Sequence, residues 1–126
     1  MNDRDSRSLR EIVRLCDNGS QLADRGRDWY RSDVLNTPGL AAESIIIKIG
    51  ENVARLSDET TAAHPEVPWT SIKRMRDRLA HHYEATDYEA VWDTLVADLP
   101  RIRAGIQSIL DRTMAGRPRS DGSRGE

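Results

Sequence analysis

At 126 residues, with 37% hydrophobic and 32% charged side chains, the chain is sized for one domain with one core. No apolar run approaches the roughly 20 residues that a membrane span needs, and 19 basic residues against 21 acidic ones leave a net charge of −2. Global charge therefore does not mark a nucleic-acid binder, and any such surface must be local. A single cysteine, Cys16, excludes an intramolecular disulfide. Together with a charged Met1–Asp5 start that no apolar segment follows, it makes a cytoplasmic protein without a signal peptide the expectation.

In chain order the pattern reads as helices throughout. Residues 6–25 place Leu9, Ile12, Val13, Cys16 and Ala23 near one stripe, with Gly19 as a soft spot. Cys16 lies on that stripe, which predicts a buried, inert thiol. Residues 26–36, with Trp29, Tyr30, Val34 and Leu35, read as a short helix or an ordered loop. Thr37-Pro38 reads as a helix start, Thr as cap and Pro in the first turn. The next helix is predicted to run to about Asp58, with Ala41, Ile45, Ile49, Val53 and Leu56 at steps of four and three. Its apolar face is broad, as expected of a central helix or a subunit contact. Gly50 inside it costs about 1 kcal/mol against Ala, and close approach of another helix is a sufficient reason for it.

Pro65 and Pro68 make residues 62–68 a linker, its turn held by a hydrogen bond from His64. Thr86-Asp87-Tyr88-Glu89 reads as a capping box for a helix lined by Tyr88, Val91, Trp92, Leu95 and Leu99. Pro100 opens a last helix carrying Ile102, Ile106, Ile109 and Leu110. From Ala115 the composition turns to Gly, Arg, Ser and Pro, giving a domain over 1–114 and a disordered polar tail over 115–126. The expected fold is an all-α bundle of four to five helices.

The stretch Trp69–Tyr83 carries the chemistry. Ile72, Met75 and Leu79 commit one helical face to the core, while Lys73, Arg74, Arg76 and Arg78 face a single acid, Asp77, and lead into His81 and His82. Like charges crowded on one helix repel, so this surface is either a solvated basic face or a place where a phosphodiester is held. Arg76 and His81 lie about 140° apart at about 100° per residue, whereas Arg76 and Tyr83 are about 20° apart. One phosphate can meet both Arg76 and His81 only if the helix ends near His81 or a second copy supplies one of them. His64, His81, His82 and Cys16 lack the spacing of a zinc site, so no cofactor or metal is expected.

Arg76, His81 and Tyr83 form R-x-x-x-x-H-x-Y, which resembles the signature of the HepT-like toxins, a branch of the all-α HEPN superfamily of ribonucleases. Ile49-Gly50-Glu51, His64-Pro65-Glu66-Val67-Pro68-Trp69, Met75-Arg76-Asp77 with Leu79, and the run from Asp87 to Pro100 resemble further elements of that family in the same order. The resemblance implies a homodimer with paired motifs in one cleft. It also implies a metal-independent RNase toxin of a toxin–antitoxin system, with RNA, tRNA among the candidates, as substrate. A minimal nucleotidyltransferase antitoxin would then silence the toxin by attaching AMP to Tyr83.

On that reading His81 takes the 2′-hydroxyl proton, Arg76 stabilises the phosphorane-like transition state, and Lys73, Arg74 and Arg78 bind RNA. Asp77 stands where the family more often has Asn, and it could orient Arg76 or a water. Glu51 is read as a partner for an arginine of the basic helix, a solvated carboxylate being the other reading. The alternative is a non-catalytic helical module, companion to a nucleotidyltransferase, in which Arg76 and His81 grip a nucleotide without cleaving it.

Overall fold

The computed structural model describes residues 1–81 and 86–115. Four long helices form the frame: α1 (Asp3–Ala23), α3 (Thr37–Ala54), α5 (Trp69–His81) and α7 (Leu99–Ala115). Three single-turn pieces, α2 (Arg27–Ser32), α4 (Asp58–Ala63) and α6 (Tyr88–Asp93), connect them, and a π-helical turn over Thr94–Asp98 joins α6 to α7. Among the described residues there is no β-strand and no helix long and apolar enough to cross a membrane. This is the all-α bundle that the periodicity predicts.

Helix α3 is central, packing against α1 on one side and α5 on the other, while α7 closes the bundle against α1. Ile46, Ile49 and Val53 of α3 meet Leu9, Ile12 and Leu15 of α1, Ile72 of α5, and Leu99, Ile106 and Ile109 of α7 in one buried cluster. Gly19 is buried at the α1–α7 contact, where an added Cβ would stand 2.8 Å from Leu99 Cδ1. Its soft spot is thus a packing requirement. Cys16 is buried as expected, and burial pushes its thiol up to about 12, far from a reactive thiolate.

Several boundaries differ from expectation for reasons of capping. Helix α1 begins at Asp3, because the Asn2 side chain accepts a hydrogen bond from Asp5 N at 2.7 Å. Helix α3 starts behind Asn36, which takes a left-handed conformation (φ 56°), and the Asp33 carboxylate accepts from Leu35 N and Thr37 N. Thr37 is therefore inside the helix and not its cap. The helix ends at Ala54 instead of Asp58, since Ser57 caps a separate turn, α4, by accepting from Thr60 N. Asp87, and no reciprocal box, caps α6, accepting from Glu89 N and Ala90 N while the Glu89 carboxylate is drawn to Arg31.

The linker before α5 is held by the backbone of His64, whose imidazole Nδ1 lies 3.5 Å from Glu66 Oε2 in the same span. His64 O accepts from the Trp69 indole at 2.9 Å and from Val67 N at 3.2 Å. Val67 and Trp69 are buried against the core, so this short span fixes where α5 leaves the linker. At the far end of α1, Asp5 is 1% exposed and accepts hydrogen bonds from Ser57 N, Ser57 Oγ and Thr60 Oγ1 at 3.2, 2.6 and 2.6 Å. That carboxylate ties the start of α1 to the start of α4. Burial alone raises its pKa, but the donors outweigh burial and hold it below the ordinary 3.8.

Candidate active site on α5

Gly50 determines where Arg76 sits. A Cβ at Gly50 would lie 2.2 Å from Arg76 Cβ and 2.5 Å from its Cγ, so the α3–α5 crossing is open only to glycine at that point. This is the close approach that the sequence anticipates, and the residue approaching is the arginine of the motif. Its side chain is 28% exposed, with the stem against α3 and the head reaching the rim.

The guanidinium is not well partnered. Its Nε is 2.9 Å from Asp77 Oδ1, within ion-pair range, yet the N–H is not aligned on that oxygen and the buried Nε makes no hydrogen bond. Proximity and hydrogen-bond geometry disagree here, and the angle decides: the contact is Coulombic, with donors left over. Asp77 is itself more than half exposed, and exposed pairs contribute at most about 1 kcal/mol. An incoming phosphate can therefore displace it at small cost.

Lys73, Asp77 and His81 follow one another at steps of four along α5, and all three are exposed. Neighbours four apart on a helix can touch, which places Asp77 between the Arg76 head and the turn that carries His81. His81 is the last residue of α5 and is exposed. Arg74 is exposed as well. Arg78 departs from the group: it lines two adjoining cavities of about 440 and 660 Å³ on the other flank of α5, with Met75 and Thr94.

Glu51 does not pair with α5. It is exposed and makes no ion pair among the described residues, because its step along α3 turns it outward from the Gly50 contact. His82 and Tyr83 lie outside the described residues. What the structure brings together is thus Arg76 and Asp77, with Lys73 and His81 exposed elsewhere along the same helix. Residue order signals the close crossing at Gly50 and an Asp77 able to orient Arg76, but not that Arg76 is the residue packed on Gly50.

Comparison with known proteins converges on these elements. The family model described as "Ribonuclease HepT-like" matches residues 9–109. A protein of Caldanaerobacter subterraneus subsp. tengcongensis, provisionally named as an RNase, is 36% identical over 106 residues, covering 82% of this chain and 92% of that protein. A Thermococcus cleftensis protein named "Probable ribonuclease HepT" is 33% identical over 61 residues, 48% of this chain and 56% of that protein. A Methanocaldococcus jannaschii protein, again provisionally an RNase, is 37% identical over 62 residues, 49% of this chain and 51% of that protein. No solved structure matches. With a match spanning every long helix and the whole described rim of α5, the chain belongs to the HepT-like ribonuclease family.

Proposed function

We propose that the protein is a metal-independent RNase toxin that cleaves RNA with His81 and Arg76. The observation that carries this reading is the under-satisfied Arg76 guanidinium, seated on Gly50 and covered only by a weak, exposed partner, on the same helix as an open imidazole. The neutral His81 imidazole accepts the ribose 2′-hydroxyl proton. The 2′-oxygen then attacks phosphorus, the bond to the 5′-oxygen breaks, and a 2′,3′-cyclic phosphate remains. A protonated imidazole returns a proton to the leaving 5′-oxygen. Arg76 meets the growing charge on the phosphoryl oxygens with its planar fork.

A homodimer completes this arrangement. Arg76 and His81 of one chain diverge around α5, and His81 of the partner subunit would supply the second proton-transfer group across a two-fold axis. Static light scattering should give about twice the 14.2 kDa chain mass. In the toxin–antitoxin setting, a nucleotidyltransferase would attach AMP to Tyr83, whose added phosphodiester would pair with the cations of α5 and exclude RNA.

His81→Ala tests the assignment. Because His81 is exposed, the variant should fold and melt like the parent while losing RNA cleavage and growth inhibition. An His81→Ala protein that cuts RNA at the parental rate overturns the catalytic reading. Tyr83→Phe should stay active and gain no mass when incubated with ATP and the partner enzyme. A Tyr83→Phe protein still modified and silenced places the control elsewhere.

A further inference from the structure

Of the eleven described arginines outside α5, six are ion-paired, and Arg25 lies over the Trp29 ring at 4.5 Å. Arg14 pairs with Glu11, Arg27 with Asp93 and Glu89, Arg31 with Glu89, Arg101 with Asp98, Arg103 with Asp17 and Arg112 with Glu66. Against that background a second group stands out. Arg4, Arg7 and Arg10 of α1 and Arg55, just after α3, are exposed and make no ion pair among the described residues. With Arg14 they line one shallow concavity of about 540 Å³, in which Glu11 is the single acid.

The spacing is regular as well as crowded. Positions 4, 7, 10 and 14 recur at helical steps, so their side chains form a ridge about 15 Å long on the solvent side of α1. Four arginines on one flank cost the helix self-repulsion, which nothing in the bundle requires. Guanidinium forks suit phosphate, and an extended ridge suits a chain of phosphates. The lining contains no apolar side chain, unlike the core of a protein–protein contact.

The concavity is distinct from the rim of α5. On α3 the Gly50 face meets α5, whereas Arg55 lies five residues on, about 140° around the helix axis. The body of α3 thus separates two arginine-rich surfaces, and an RNA strand could run from one to the other across its exposed side. We infer that the arginine ridge of α1 with Arg55 is a second RNA contact, holding the phosphodiester backbone of the substrate at a distance from the cleavage site. This inference rests on the RNase reading and extends it to the path of the strand.

The test uses full-length His81→Ala protein, which holds RNA without cutting it, and a labelled single-stranded RNA whose binding is titrated across salt concentrations. Adding Arg7→Gln, Arg10→Gln and Arg55→Gln should weaken binding on the order of 10- to 100-fold. It should also shallow the slope of log affinity against log salt by about 2, since each lost phosphate contact on a single strand removes about 0.7. The matching Arg→Lys triple keeps the charge and should keep the slope. Arg101→Gln with Arg112→Gln removes two paired arginines and should change neither quantity.

Unchanged affinity and slope in the Gln triple would overturn the inference while leaving the cleavage site intact. An equal loss in the Arg101/Arg112 control would reduce the effect to net charge and overturn it too. Failure of the His81→Ala protein to bind any RNA would take down the RNase reading itself.

Discussion

Asp5 and Arg76 are both charged, both partly or wholly withdrawn from water, and treated in opposite ways. Asp5 receives three donors from Ser57 and Thr60, and its carboxylate is closed off. Arg76 keeps a buried Nε with no aligned acceptor and a counter-ion that is mostly in solvent. A buried charge that is fully hydrogen-bonded serves the frame, because removing it leaves its donors orphaned. One left short of partners has spare capacity for a ligand. The contrast separates scaffold from site within one small bundle.

Substitutions can break that contrast in graded steps. Asp5→Ala removes the acceptor of two hydroxyls and an N–H in the α1–α4 joint and should cost about 3 kcal/mol, lowering Tm on the order of 10 °C. Cleavage per folded molecule should be unchanged. The pH dependence has a definite sign. Because the folded Asp5 pKa is below the ordinary 3.8, its contribution is complete above that value and is lost as pH falls through the folded one. Denaturation curves should show the parent losing its advantage over Asp5→Asn only below about pH 4.

Arg76→Met should do the reverse. Stability should move by less than about 1 kcal/mol, because an imperfectly paired buried group is exchanged for an apolar one. Cleavage should fall at least about 100-fold, the scale of losing one preorganised transition-state donor. Gly50→Ala comes next, at about 2 kcal/mol, since its Cβ must push Arg76 and with it α5 away. It should lower both melting temperature and cleavage, and so couple what the first two variants separate. Asp77→Asn should have the smallest effect. Removing a negative charge beside the arginine should raise RNA affinity by less than about tenfold, with the thermal melt nearly unmoved.

Much of this was legible from residue order. The bundle followed from apolar spacing, and Gly50 announced a close helix crossing before its partner was known. The Asp5 joint was not legible, because its partners lie more than 50 residues away and nothing in residues 2–5 signals burial. Helix α4 escaped for a related reason: residues 58–63 have no apolar periodicity, and only Ser57 three places before Thr60 hints at a cap. The π turn before Pro100 has no local signature. Between the two readings of Glu51, its angle on α3 favours the solvated carboxylate. The ridge on α1 could have been found, since 4, 7, 10 and 14 is a helical series.

The seating of Arg76 on Gly50 also bears on the entropy of binding. A free arginine side chain carries roughly 2 kcal/mol of rotamer entropy, which a ligand must remove before gaining from the contact. Here Cβ and Cγ are confined by the α3 backbone, so the inner torsions are settled when the chain folds. On the proposed reading, substrate would meet a group with only its outer torsions left to freeze, part of the ordering that recognition demands having been done on folding.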